Sequence, residues 1–309
     1  TVGQMWNALE KLGFAVYDVN QSADQTIWEE GTELIKRIRY WILNDRSEDV
    51  AMMAHHPLPQ FTSCCPAWVR NMEGNYAGWV PHISTTKSPI QMGGTMAKVW
   101  GAEHVWHKDP AKIYMVAVAP CTAKIFEASR PEFHQAYDYL VKNGKIPAST
   151  PKFPDVDAVL TVRDLAELLR RKGINPLKES AEHEPTTMEV YTGAGTIFGA
   201  SGGVMEAALR TANDWLTGKD NEDVDFTEVR GTAGLKEATY TIAGTELKVS
   251  EVLPEKVMSI GENLQIRRFA RFDKNTSVSY VHMNGKIGVL VQAASPAGAS
   301  EAVLTAAKD

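Results

Sequence analysis

The chain has 309 residues, 44% of them apolar and 23% charged, with a formal net charge of −6. That is enough chain for one large domain or two ordinary ones with a sizeable core. The acidic balance and the lack of a basic tract argue against a nucleic-acid partner, and no apolar run is long enough to cross a membrane.

Three cysteines are an odd, sparse count that argues against a secreted disulfide scaffold and fits a reducing compartment or a metal site. No signal peptide is visible, which points to a cytoplasmic protein. The periplasm stays open, because Thr1 is not a start methionine and the chain opens directly in a helical pattern.

Met5 to Leu12 has the pattern of a short helix, and Phe14 to Val19 is an apolar run of strand length. A helix follows from about Ala23 to Ile42, with Ile27, Leu34, Ile35 and Ile38 near helical period. Glu30, Glu33 and Arg37 fall in one row of it. Periodicity leaves two readings of that row: an exposed face with a Glu33–Arg37 pair, or buried ionisable groups that relay protons. After the irregular segment 44–60 comes Phe61-Thr62-Ser63-Cys64-Cys65-Pro66-Ala67-Trp68, a strand-to-helix turn. Free N–H groups at such a turn lower thiol pKa values, which suits a metal ligand or an acid. Vicinal cysteines also occur as a buried apolar pair or a strained disulfide, and spacing alone does not choose among these.

Helices are then predicted over Pro66 to Tyr76 and from Lys87-Ser88-Pro89 through Met92, Met96 and Trp100, a methionine stripe typical of a core. Ile113 to Ala119 is a continuous apolar strand, as in a parallel sheet covered on both faces. It ends at Pro120-Cys121-Thr122-Ala123-Lys124, a second cysteine where α/β sheets place ligands. Val156 to Val162 is a further strand and Asp164 to Lys172 a helix stopped by Gly173. The glycine-rich segment Thr192 to Gly203 leads into a helix over Val204 to Leu216. It lacks the register of a dinucleotide loop and the Walker lysine, so close backbone approach to a bulky group is the preferred use of its glycines. Ala238 to Ile242 and Glu246 to Val252 form a hairpin pattern. Strands alternating with helices predict an α/β fold.

Three pieces match one family together: Thr62-Ser63-Cys64-Cys65-Pro66-Ala67-Trp68, Ala119-Pro120-Cys121-Thr122-Ala123-Lys124 and Gly202-Gly203-Val204-Met205-Glu206-Ala207-Ala208-Leu209-Arg210. Over residues 1–252 the chain resembles the catalytic domain of the iron-only (di-iron, FeFe) hydrogenases. The resemblance implies two α/β lobes, each a small twisted sheet flanked by helices. It also implies an H-cluster, a 4Fe-4S cluster joined to a di-iron subcluster, and the reversible reduction of protons to dihydrogen. Electrons would come from a ferredoxin-type partner, a cytochrome or a small subunit.

Carried over by residue, Cys65 and Cys121 match thiolate ligands of the 4Fe-4S cluster, and Cys64 matches a thiol that exchanges protons with the di-iron centre. Lys124 matches a lysine that donates to a cyanide on iron. Glu30, Ser84, Glu33 and Arg37 occupy the positions of a proton path, which selects the relay reading of the row. Phe198, Gly199 and Pro89 match the cluster-pocket wall, where Ile90 stands in place of a frequent glutamine.

The family's Cys-Pro-Gly-Gly-Cys motif is missing, and no cysteine follows Cys121. With two of four thiolates, a full cluster would need a partner subunit or an unusual ligand such as His282. The alternative is a non-catalytic iron–sulfur or sensory module. Residues 253–309 instead resemble translation elongation factor Ts, in Lys256 to Phe272 and Val278 to Val291. Its partner, elongation factor Tu, follows as a candidate, but the Thr-Asp-Phe-Val segment of nucleotide exchange is absent. From the residues alone, Glu262 to Phe272 is a strand whose arginines 267, 268 and 271 guard an edge, Val278 to Val291 a hairpin about Asn284-Gly285, and Ala299 to Ala307 a helix.

Overall fold

The computed structural model describes residues 1–184, 186–200 and 202–218 and, beyond them, the backbone of strands at 227–228, 236–242, 245–250, 277–282 and 287–292. The chain divides into two compact units, Thr1–Ile260 and Gly261–Asp309.

The first unit is built mainly of helices. α1 (Val2–Lys11) starts in a capping box between Thr1 and Gln4. α2 (Val19–Trp41) starts at Asp18, whose carboxylate accepts the Asn20 amide. The strand expected at 14–19 is therefore an extended lead-in: it joins no ladder among the described residues, and the Asp18 amide donates to the Met188 carbonyl at 3.1 Å. α3 (Pro66–Asn75) and α4 (Pro89–Met96) each place a proline in the first turn, where its missing N–H costs nothing. α4 runs into a π-helical turn, Ala97–Gly101, and the short α5 (Ala102–His104).

β1 (Val116–Ala119) pairs in parallel with β2 (Ala158–Thr161), in register from Val116↔Ala158 to Ala119↔Thr161. Between them lie α6 (Ala123–Ala128) and α7 (Gln135–Lys142). α8 (Val162–Arg171) opens with a Thr161–Asp164 capping box and stops at Gly173, which has φ +69°. α9 (Gly193–Phe198) and α10 (Gly203–Thr217) complete the helices. β3 (Thr227–Glu228), β4 (Lys236–Ile242) and β5 (Thr245–Ser250) make an antiparallel sheet in that order. In the second unit, β6 (Ser277–His282) and β7 (Ile287–Gln292) form the expected hairpin. The strand expected at 262–272 and the helix at 299–307 lie outside the described residues.

The balance is thus more helical than an alternating α/β pattern implies, and the parallel sheet among the described residues has two short strands. The apolar run from Ile113 is cut at its start because the Met115 amide donates to the Asp157 carboxylate at 2.7 Å, ahead of the ladder. Nor is β1 covered on both faces, since Val118 is 40% exposed.

The organising element is α2, which packs against α4, α9, α10 and the 3-10 segment Glu48–His55. Ile38 meets Leu209 and Ala212 of α10 in one apolar cluster. Ile90, Ala117 and Val156 make another between α4 and the parallel sheet. The methionine stripe is only half-buried; the enclosed side of α4 and its π turn carries Gln91, Gly94, Ala97 and Lys98. Lys98 is fully buried, with Nζ 2.6 Å from Asp157 and 2.7 Å from the Pro154 carbonyl, and Lys87 pairs with buried Asp155 at 2.8 Å. These two pairs clamp α4 to the segment entering β2. The close approach requires Gly94, where an added Cβ would lie 2.3 Å from the Asp155 carbonyl oxygen. Gly94→Ala is expected to destabilise the protein by about 1–3 kcal/mol, as backbone overpacking does. A lowered urea midpoint at unchanged slope would confirm it.

Candidate functional site

Three segments converge on the cysteine turn. The Phe61 amide donates to the His82 carbonyl at 2.8 Å and the Ser84 amide to the Phe61 carbonyl at 2.7 Å, forming a parallel bridge that lays residues 82–84 beside the strand entering the turn. The Ser63 hydroxyl adds a bond to the Thr86 carbonyl. Cys65 is the N-cap of α3, followed by Pro66, and packs on Trp68, Met72 and Ile83. Cys121 is exposed and immediately precedes the Thr122 cap of α6. An open cleft runs along α3 and the start of α6, lined among others by Pro66, Ala67, Arg70, Ala123 and Phe126; neither Cys65 nor Cys121 is among its lining residues.

Lys124 reaches the turn from α6: its Nζ donates to the Cys64 carbonyl at 2.7 Å and to Glu127 Oε2 at 2.6 Å. The other Glu127 oxygen accepts from the Ser88 hydroxyl. Glu127 is buried and was not anticipated from the sequence; its one signal is a spacing of three from Lys124 on a helix.

The α2 row is buried, which excludes the exposed-face reading: Glu30 is 1%, Glu33 6%, Arg37 0% and Ser84 5% exposed. Arg37 bonds Glu33 through Nε and Nη2 and donates to the Pro57, His82 and Ile83 carbonyls at 2.8, 3.1 and 3.0 Å. The second oxygen of Glu33 accepts from the Ser84 hydroxyl at 2.8 Å and from the Thr85 amide and hydroxyl at 2.9 and 3.1 Å. Thr85 is a further contact that sequence reasoning missed.

Glu30 is different. Neither of its carboxyl oxygens completes a hydrogen bond. Burial first, and then repulsion from Glu33, push its pKa up from 4.5 to about 8; the Ser63 amide, the Ser84 hydroxyl and Arg37 oppose the rise. Cys64 is pushed up to about 12, chiefly by burial and then by Glu30, with Lys124 opposing. A thiol in that range keeps its proton at neutral pH, as a positioned acid must.

Pro89 is buried at the start of α4, Phe198 half-buried and Gly199 exposed. An added Cβ at Gly199 would meet nothing within 4 Å. The close approaches in the glycine-rich segment fall at Gly195 and Gly203, where an added Cβ would lie 2.5 Å from the Asn20 carbonyl oxygen and 1.7 Å from that of Ile197. These two approaches are to the protein's own backbone. Asp24 of α2 ties the segment down by accepting from the Gly195 amide at 2.6 Å and the Thr192 hydroxyl at 2.8 Å.

The donor set falls short of a whole cluster. A 4Fe-4S cluster takes four thiolates, and the chain has three cysteines. Among the described residues no group of three or more His, Cys, Asp or Glu side chains is placed to hold a metal. The side chain of His282 lies outside the described residues.

A paired-cysteine turn, a buried acid row and a lysine-bearing helix thus meet around residues 61–65. Residues 1–260 match the model of the iron only hydrogenase large subunit, C-terminal domain, and the chain belongs to that family. Residues 221–309 match the elongation factor TS model. The chain is 44% identical over 253 residues to the periplasmic Fe hydrogenase large subunit of Nitratidesulfovibrio vulgaris, covering 82% of this chain and 53% of that protein. A variant of the FeFe-hydrogenase HydA1 from Chlamydomonas reinhardtii superposes with a TM-score of 0.61 at 35% identity, covering 78% of this chain and 54% of that one. A more distant relative is the cytosolic iron-sulfur assembly component 3 of Bos taurus, 28% identical over 223 residues, 70% of this chain and 41% of that protein. The chain spans about half the length of the curated relatives it matches.

Two outcomes follow. Arg37→Ala would strand Glu33 as an uncompensated buried charge and cost about 3–5 kcal/mol in chemical denaturation. Glu30 sets a pH trend: below 4.5 its carboxyl is protonated in both folded and unfolded states, whereas between 4.5 and about 8 only the unfolded state gives up the proton. Its contribution therefore falls as pH rises through that window, by a few kcal/mol in all, and levels off above it. Glu30→Gln should flatten the decline, measured as the urea midpoint against pH.

Proposed function

We propose that this chain carries the proton-handling part of a hydrogenase site, in a protein that reversibly reduces protons to dihydrogen. The observation that supports this reading most is the buried Glu33–Ser84 contact beside the unbonded carboxyl of Glu30, which helps burial to raise the pKa of the Cys64 thiol. In this reading the Ser84 hydroxyl, able to donate and accept, passes a proton between Glu33 and Glu30, and Glu30 restores the proton on Cys64 Sγ. Lys124 holds the Cys64 carbonyl and so orients the thiol. Arg37 positions Glu33 and keeps its own protons throughout. Cys65 and Cys121 supply two thiolates to an iron–sulfur centre, and the remaining ligands come from outside this chain. Electrons come from a ferredoxin-type protein or a small subunit.

The shortage of thiolates favours a second reading, an iron–sulfur module that holds iron without turning over dihydrogen. Anaerobic cluster reconstitution of the full chain, followed by iron determination and a dihydrogen assay, separates the two. Under the first reading Cys64→Ser leaves iron content unchanged and lowers turnover by about 100-fold or more, the scale of losing a positioned acid. Iron without turnover in the folded wild-type chain, persisting when a small thiol is supplied for the ligands missing from the chain, establishes the second reading, and loss of iron in Cys64→Ser would make Cys64 a ligand and overturn both assignments.

A further inference from the structure

The buried polar row of α2 extends well beyond Glu30. Ser22 and Thr26 are enclosed as completely as Glu30, Glu33 and Arg37, at 1% and 0% exposure. At about 100° per residue, positions 22, 26, 30, 33 and 37 fall within an arc of about 80°, a single polar stripe along the helix. Side chains four apart on such a stripe stand about 5–6 Å apart at Cβ, a gap one water spans.

The two ends of the stripe differ. At the Arg37 end every site is filled: the guanidinium is fully enclosed, bonded to Glu33 and three carbonyls, and cannot act as a proton carrier because it does not give up its charge. At the other end the acceptors and donors are open. The Thr26 hydroxyl makes one long bond, 3.3 Å, to the Lys87 carbonyl. The Tyr17 hydroxyl and Gln25 Oε1 are buried without a hydrogen bond, although Ser22 and Gln25 both face the Tyr17 oxygen. Gly93 of α4 lets Ser22 and Tyr17 come together against that helix: an added Cβ there would lie 2.5 Å from Ser22 Oγ and 3.1 Å from the Tyr17 ring. On the same helix Gln91 is fully enclosed with both amide atoms unpartnered. Buried polar atoms are ordinarily paired, and such a concentration of open ones is where bound water is held. Tyr17 and Gln25 are each half-buried, so this end lies near the surface although the two oxygens themselves are enclosed.

We propose that α2 carries a second proton route, running from Glu30 past the Thr26 and Ser22 hydroxyls, with bound water between them, to Tyr17 and Gln25 at the start of the helix. Each hydroxyl and each water accepts a proton on one side and releases one on the other, so charge and atoms balance along the file. The route deepens the proton-handling reading above and makes Glu30 a junction of two paths.

The test follows exchange of the Glu30 carboxyl proton in the full chain by infrared spectroscopy after a jump into D2O, with Glu30→Gln identifying the band. Thr26→Val and Ser22→Ala are expected to slow exchange about tenfold or more, as loss of a hydrogen-bonding hydroxyl would. Thr26→Ser, which keeps the hydroxyl, should exchange at the wild-type rate, an outcome a purely structural role would not produce. Should Thr26→Val fail to fold, Tyr17→Phe removes one hydroxyl at the outer end and is expected to slow exchange likewise. Exchange unaffected by these changes and slowed only by Ser84→Ala would overturn the route. A chain without dihydrogen turnover whose exchange still depends on Thr26 and Ser22 would refute the hydrogenase reading while leaving the route standing.

Discussion

Everything around the cysteine turn depends on one buried cation. The Arg37 guanidinium is wholly enclosed and must be paired where it lies, because an isolated charge in the interior is prohibitively costly. It meets that demand with Glu33 and with the carbonyls of Pro57, His82 and Ile83. The same contacts hold residues 57 and 82–83 against α2. The Phe61 bridge then fixes the strand entering Cys64 and Cys65, and Ser84 comes to Glu33 as a consequence. The acid row and the cysteine turn are therefore one mechanical unit, though they are far apart in the chain.

Within that unit two glutamates one helical turn apart have opposite surroundings. Glu33 is surrounded by donors from Arg37, Ser84 and Thr85, whereas Glu30 has none that completes a bond. Burial without compensation disfavours the Glu30 carboxylate, and the neutral acid results. Its influence continues to Cys64, whose thiolate is disfavoured by the same burial and by the nearby acid. Environments that differ at neighbouring carboxyl groups are how a single site comes to hold protons and pass them on.

The glycines show a division of labour that composition conceals. In the segment before α10, close backbone contact occurs at Gly195 and Gly203, and in α4 Gly93 and Gly94 admit the Ser22 and Asp155 neighbours. α4 can thus lie against both α2 and the segment entering β2, with Lys87 and Lys98 pairing across the second contact. The burial of Lys98 was invisible in the sequence, because a lysine in a helix carries no mark of the aspartate it will meet 59 residues later.

The sequence by itself determined the family, the cysteine turn with its proline-led helix, most helix positions and the Glu30–Glu33–Arg37 spacing, because these are set by local chemistry and helical period. It also showed the deficit of thiolates, which is a matter of counting. The resemblance favoured a buried row, which the structure shows; only the tertiary structure decided that Ser22 and Thr26 extend it, that Glu127 accepts from Ser88, and that Phe14 to Asp18 leads into a cap instead of a ladder. Each of those depends on which groups distant in the chain pack against the element or bond to it, and a single stretch of sequence does not contain its partners.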